Sequence, residues 1–145
     1  MPLVTYDTNV FIKYKPAHFP AGFVMSAVVI QGLAAGAVDK SEIQALNAAR
    51  LGYEKQGRLL VPNSEDWWMA GKVLNSLLRG HKSQASQHAR RIFKGEQQRI
   101  LRDVLIARTA RRAGAIVVTD NIADFERIKS FCRVRIKRPA EIAVR

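Results

Sequence analysis

The sequence predicts an α/β fold: a parallel sheet with helices on both faces, an α/β/α sandwich. Three observations predict it. Short apolar, β-branched runs of strand length recur along the chain, segments with helical apolar spacing separate them, and capping or breaking residues stand where one pattern gives way to the next. The 145 residues, 48% hydrophobic and 25% charged, suit one domain spanning residues 1–145. A chain of this size buries roughly two-thirds of its unfolded surface.

Residues 3–6 are apolar and β-branched and run into Asp7, Thr8 and Asn9, all good capping types, ahead of Val10, Phe11 and Ile12. That reads as strand, turn, helix. Residues 23–25 form a second short extended piece, after which Ser26 caps a helix of small and apolar residues that runs to Ala35 and stops near Gly36. Ser41 with Gln44 three residues on resembles a capping box, opening a helix that ends at Gly57. Residues 58–61 read as a strand halted by Pro62 and Asn63, and Ser64, Glu65 and Asp66 open a helix that ends at Gly80. This helix carries Trp67 and Trp68, which point about 100° apart, so one is expected in the core and the other partly exposed.

Residues 81–98 are polar and basic with only Ile92 and Phe93 as bulky anchors, an exposed helix or a loop. Residues 100–113 are helical by period, which puts Asp103 at the start of a helix. Gly114 stops it, and residues 115–118 have the length and composition of a buried central strand. Residues 122–128 form a short helix. Val134 and Ile136 alternate with Arg133, Arg135 and Lys137, an edge strand with one wet face.

Cys132 is the only cysteine, so no internal disulfide forms, and His18, His81 and His88 show no ligand-like clustering. No apolar stretch approaches the ~20 residues that cross a bilayer. The expectation is a soluble protein of a reducing cytoplasm. Lys and Arg number 24 against 12 Asp and Glu, a net charge of +12, which favours a polyanionic partner, nucleic acid before membrane.

Against that basic background, Asp7, Asp103, Asp120 and Asp124 sit at or near the ends of predicted elements. In a parallel sheet Asp7 and Asp120, each following a strand, reach the same edge, where ligands of such sheets collect. Asp103 shares a helix stripe with Ile106, Ala107, Ala110 and Ala113, away from Arg108, Arg111 and Arg112. A carboxylate on an inward face costs several kcal/mol unless paired, hydrogen-bonded or bound to a cation. Hard carboxylate oxygens without His or Cys suit Mg²⁺ or Mn²⁺, and the chemistry that follows is hydrolysis of a phosphodiester by a metal-activated water. Taken singly, Asp7 and Asp103 also suit helix capping, and Asp124 suits a turn.

These residues resemble the PIN domain, and within it the VapC-type toxin ribonucleases. The resemblance rests on Asp7, Thr8 and Asn9 after the first strand, on Asp103 followed by Val104, Leu105, Ile106 and Ala107, and on the run from Thr119 and Asp120 through Asn121 to Asp124 and Phe125. It implies an acidic pocket that binds Mg²⁺ or Mn²⁺ and cleaves RNA. Asp7 and Asp103 are the principal ligands in that reading. Asp120, Asn121 and Asp124 complete the site, and Thr8, Asn9 and Thr119 line it.

The family pattern on the second helix is a serine, a short apolar run and a glutamate. Here Ser26, Ala27, Val28, Val29 and Ile30 lead to Gln31, an oxygen ligand without charge and an expected catalytic contributor. Arg90, Arg91, Lys94, Arg99 and Arg102 form a cationic stretch that suits a phosphate backbone, or equally a solvated helix face. The resemblance further implies a cognate antitoxin and a homodimer. The alternative is a catalytically weakened RNA-binding or antitoxin-binding module. A phospho-accepting receiver-like domain fits poorly, since only Asp7 follows the first strand.

Overall fold

The computed structural model describes residues 2–14, 19, 21–82 and 87–142, and the side chains of residues 80–94 lie outside that description. Five strands and six α-helices alternate among the described residues: β1 (Val4–Tyr6), α1 (Thr8–Lys13), β2 (Met25–Ser26), α2 (Ala27–Ala35), α3 (Lys40–Lys55), β3 (Leu59–Leu60), α4 (Ser64–Lys82), α5 (Gln87–Ala113), β4 (Ile116–Val118), α6 (Ile122–Ile128) and β5 (Ile136–Lys137). β4 pairs in parallel with β1 and with β5, and β2 pairs in parallel with β3. The two ribbons meet where the Val24 N–H donates to the Val4 carbonyl at 3.0 Å, giving the spatial order β3-β2-β1-β4-β5.

That order reverses direction at β1. Right-handed crossovers then place α1–α3 on one face and α4–α6 on the other. The helix contacts follow this division, α2 packing on α1 and α3, and α5 on α4 and α6, with α2 and α5 meeting across the sheet edge. The expected parallel α/β architecture is present. Its buried layer is built from Val4, Tyr6, Val117 and Val118 of the sheet with Val29, Val73, Ile100, Val104, Ile106 and Ala110 of the helices.

Local signals explain most element starts. Ser26 Oγ accepts from the N–H groups of Val28 and Val29, capping α2 as expected. Three readings change. The cap of α3 is Asp39, whose carboxylate accepts from the Glu42 N–H at 2.8 Å while Glu42 accepts from the Val38 N–H at 3.0 Å, so the reciprocal pair lies upstream of Ser41 and Gln44. Trp67 and Trp68 are both exposed, at 59% and 71%, because α4 turns the stripe of Asp66, Ala70 and Val73 inward. α4 also runs past Gly80.

The largest change concerns Asp103. α5 is a single helix from Gln87, so Asp103 lies well inside it, where backbone N–H groups are already committed to the helix. A capping role for Asp103 is thereby excluded.

Candidate metal centre

β1 and β4 end side by side, with Tyr6 opposite Val118, and the residues that follow them converge at the carboxyl edge of the sheet. Asp7 is both the cap of α1 and a member of this edge. One carboxylate oxygen accepts from the Thr8 N–H at 2.8 Å, and the other accepts from the Thr119 hydroxyl at 2.8 Å. Thr119 is fully buried, and its hydroxyl oxygen accepts in turn from the Asn121 N–H at 3.0 Å. A chain of three hydrogen-bonded groups therefore ties the β1 end to the β4 end and fixes the aim of Asp7.

A cavity of about 210 Å³ opens here, lined by Asp7, Thr8, Asn9, Asp103, Asn121 and Asp124, with Arg99 and Arg102 at its side. Residues far apart in the chain thus share one hollow. Asp7 and Asp103 are only 7% and 9% exposed. Burial pushes the Asp103 carboxyl up to about 7, helped by the neighbouring charges of Asp7 and Asp124 and opposed by Arg99 and Arg127. Asp7 is also held above the usual carboxylate range by burial, although its bonds from Thr119 and Thr8 pull it back.

Two buried oxygens in this lining, Asp103 Oδ2 and Asn9 Oδ1, have no hydrogen-bond partner. Buried acceptors without partners are rare and costly, and a cation or ordered water satisfies them. No group of three or more His, Cys, Asp or Glu close enough to hold an ion is present among the described residues. The set that is present, two buried carboxylates with amide oxygens beside them, fits a hard ion that keeps much of its own water, the habit of Mg²⁺. Asp124 is less available, since Arg99 binds its carboxylate at 2.7 Å and Arg127 approaches it at 3.8 Å.

The cavity omits two of the expected contributors. Asp120 is exposed, is not among the lining residues and meets Lys13 at 3.8 Å. The bend between Thr119 and α6 brings Asn121, not Asp120, to the hollow. Gln31 is likewise exposed and outside the lining.

The α2 residue that faces the site is its neighbour Gly32. A Cβ built there would stand 3.5 Å from Thr8 Oγ1 and 3.6 Å from the Arg102 guanidinium. The position on α2 suited to an acid therefore holds a glycine, and Arg102 fills the space beside it. A glycine leaves no polar mark in a sequence, so this position was legible only by counting which face of α2 meets Thr8. The expected RNA contacts Arg90, Arg91 and Lys94 lie outside the described side chains. Arg99 and Arg102 stand at the cavity.

No family model matches the chain, and no curated protein matches it significantly. Solved structures do. A chain in the VapBC-1 structure from nontypeable Haemophilus influenzae is 20% identical, with 94% of this chain and 97% of that one covered and a TM-score of 0.52. A chain in a DNA-bound VapBC structure from Salmonella typhimurium is 24% identical, with 95% and 98% covered and a TM-score of 0.56. A chain in the structure of FitAB bound to an IR36 DNA fragment is 16% identical, with 94% and 95% covered and a TM-score of 0.55. Coverage from end to end at such identity establishes a shared fold, and it is the α/β fold implied by the resemblance to VapC-type PIN domains.

Proposed function

We propose that this protein is a Mg²⁺- or Mn²⁺-dependent endoribonuclease of the PIN type, the toxin of a toxin–antitoxin pair. The observation that carries the reading is the unpartnered Asp103 Oδ2 buried beside Asp7 in a cavity at the carboxyl edge of a parallel sheet. Two desolvated acids side by side are costly when both are ionised, and a cation or a proton between them removes that cost. Asp7 and Asp103 would hold the ion, with Asn9, Asn121 and Asp124 around it. When bound, the ion supplies charge neutralisation at a phosphoryl oxygen and lowers the pKa of a water.

The side chains do the rest. Thr119 and the Thr8 N–H keep Asp7 in one orientation, so that little reorganisation accompanies substrate binding. Arg102 stands over Gly32 at the cavity edge, where a phosphodiester would meet its planar fork of donors. The structures with the same fold carry the names VapBC and FitAB, which agrees with a cognate antitoxin as partner. Exposed Ile12, Trp67 and Trp68 offer apolar surface to such a partner or to a second copy in a homodimer.

The glycine at position 32 favours a second reading, a catalytically weakened module that keeps the fold and binds RNA or antitoxin. Cleavage of a labelled single-stranded RNA in Mn²⁺, with the Mn²⁺-induced rise in Tm measured alongside, separates the two. The nuclease reading expects both effects in the wild type and neither in Asp7→Asn. A Tm rise without cleavage selects the weakened module, and the absence of both removes the metal centre.

A further inference from the structure

The opposite edge of the sheet carries a second feature. A cavity of about 750 Å³ is lined by Arg111, Lys129, Arg133 and Arg135 together with Gly114 and Val134, without an acidic side chain in its wall. Gly114 precedes β4 and residues 133–135 precede β5, so this groove lies at the amino ends of the parallel strands, whereas the acidic cavity lies at their carboxyl ends. The four cations are exposed.

Helix-end neutralisation accounts for only part of this charge. α5 and α6 both end at the groove, and each helix terminus presents about half a negative charge. Arg135 donates to the Gly114 carbonyl at 3.5 Å, and Lys129 meets Glu126 at 3.8 Å. Arg111 and Arg133 have no acidic partner among the described residues. On the same helix Arg108 and Arg112 are bound to Asp66, so Arg111 stands out as the arginine of that turn left for another anion.

We infer that this groove binds the sugar–phosphate backbone of a single-stranded RNA. Three of its four cations are arginines, whose planar forks match phosphate oxygens. An adjoining cavity of about 380 Å³ shares Arg111 and Arg133, and its wall holds Phe131, an aromatic ring 40% exposed, and one acid, Glu65, which meets Arg108 at 3.7 Å. A cationic track with an exposed ring alongside is the arrangement on which unpaired bases stack. α5 connects the groove to the metal centre, since Arg111 follows Asp103 by two turns of one helix, about 12 Å at 1.5 Å per residue. The inference takes the identity of the strand from the nuclease reading and needs none of its chemistry.

The test is binding of a fluorescent 2′-O-methyl oligonucleotide, which resists cleavage, to the full chain in EDTA over a range of salt. In Arg111→Ala/Arg133→Ala, with unchanged Tm, affinity falls about tenfold and the slope of log K against log salt shrinks by about 1.4, two phosphates at roughly 0.7 each. Lys40→Ala/Lys55→Ala on α3 removes the same charge elsewhere and leaves binding near the wild-type value. Equal losses in both variants, or no loss in the first, overturn the groove. Competition by polyglutamate as effective as by oligonucleotide also overturns it, in favour of an acidic protein segment. A chain that cleaves RNA without groove-dependent binding defeats this inference alone, and one that binds through the groove but never cleaves defeats the nuclease reading alone.

Discussion

Gly32 is the α2 residue beside Thr8 and Arg102 of the acidic cavity, so under the proposed metal-binding role a side chain there would set how strongly a cation is held. A Cβ at this position meets Thr8 and Arg102 only at ordinary contact distances of 3.5–3.7 Å, and the Arg102 atom at 3.6 Å ends a flexible side chain. Gly32→Glu should therefore be accommodated, adding a carboxylate beside Asp7 and Asp103 and drawing Arg102 into an ion pair or displacing it. Ligand charge count sets affinity for hard cations, so Mn²⁺ should bind on the order of tenfold more tightly in calorimetry. Gln31→Glu, one residue along and solvent-exposed, should leave affinity unchanged. Equal behaviour of the two variants would refute the placement of Gly32. The contrast also shows how much of the site the sequence discloses. Asp7, Asp103 and Asp124 are legible because acids beside apolar runs are conspicuous. The helix phase that separates Gln31 from Gly32 is not, since α2 is apolar nearly all round and no polar face marks its orientation.

α4 and α5 are joined by a buried acid that looks, in the sequence, like one more helix-start residue. Asp66 is fully buried. Its carboxylate accepts from the Asn63 N–H at 2.9 Å while Asn63 Oδ1 accepts from the Asp66 N–H at 2.9 Å, a reciprocal cap on α4. The same carboxylate binds Arg108 at 2.9 Å and Arg112 at 2.6 Å. Burial alone would raise its pKa, but the Arg112, Asn63 and Arg108 hydrogen bonds outweigh it and hold the carboxyl below the usual range. Asp66→Ala should cost about 3 kcal/mol, the lower end for breaking a buried pair because both arginines keep some solvent. Urea unfolding at unchanged m-value measures this, and a loss within about 0.5 kcal/mol, the usual surface value, would show that the clasp is incidental. Apolar period locates the second half of α5 and leaves its first half open between exposed helix and loop, because residues 87–98 carry no apolar stripe; the structure makes it helix. The sequence also shows Asp66 only as one of the residues that open a helix, since the arginines that bind it lie over 40 residues further on.

Over the whole molecule these acids pull stability in opposite directions with pH. Asp103 ionises near 3.9 in an unfolded chain but only at about 7 in the folded one, and Asp7 is shifted the same way. Between those values the folded state binds more protons than the unfolded state, so stability is fully present below about pH 4 on this account and is lost as pH rises through 7. Asp66 acts oppositely, its contribution present above the unfolded pKa and lost as pH falls through its own lower value. In EDTA, stability should therefore decline from about pH 5 to pH 8, by roughly 2–4 kcal/mol at about 1.4 kcal/mol per pKa unit. Asp103→Asn, which cannot ionise, should remove most of that decline. A divalent cation at the proposed site would compete with the proton on Asp103, so the stabilisation by Mn²⁺ should grow as pH rises through 7 and be small at pH 5. Thermal unfolding of both proteins over this range, with EDTA and with Mn²⁺, tests the coupling directly. A wild-type Tm that is flat from pH 5 to 8, or an Mn²⁺ effect independent of pH, would mean that the buried acids do not share their proton with a cation site.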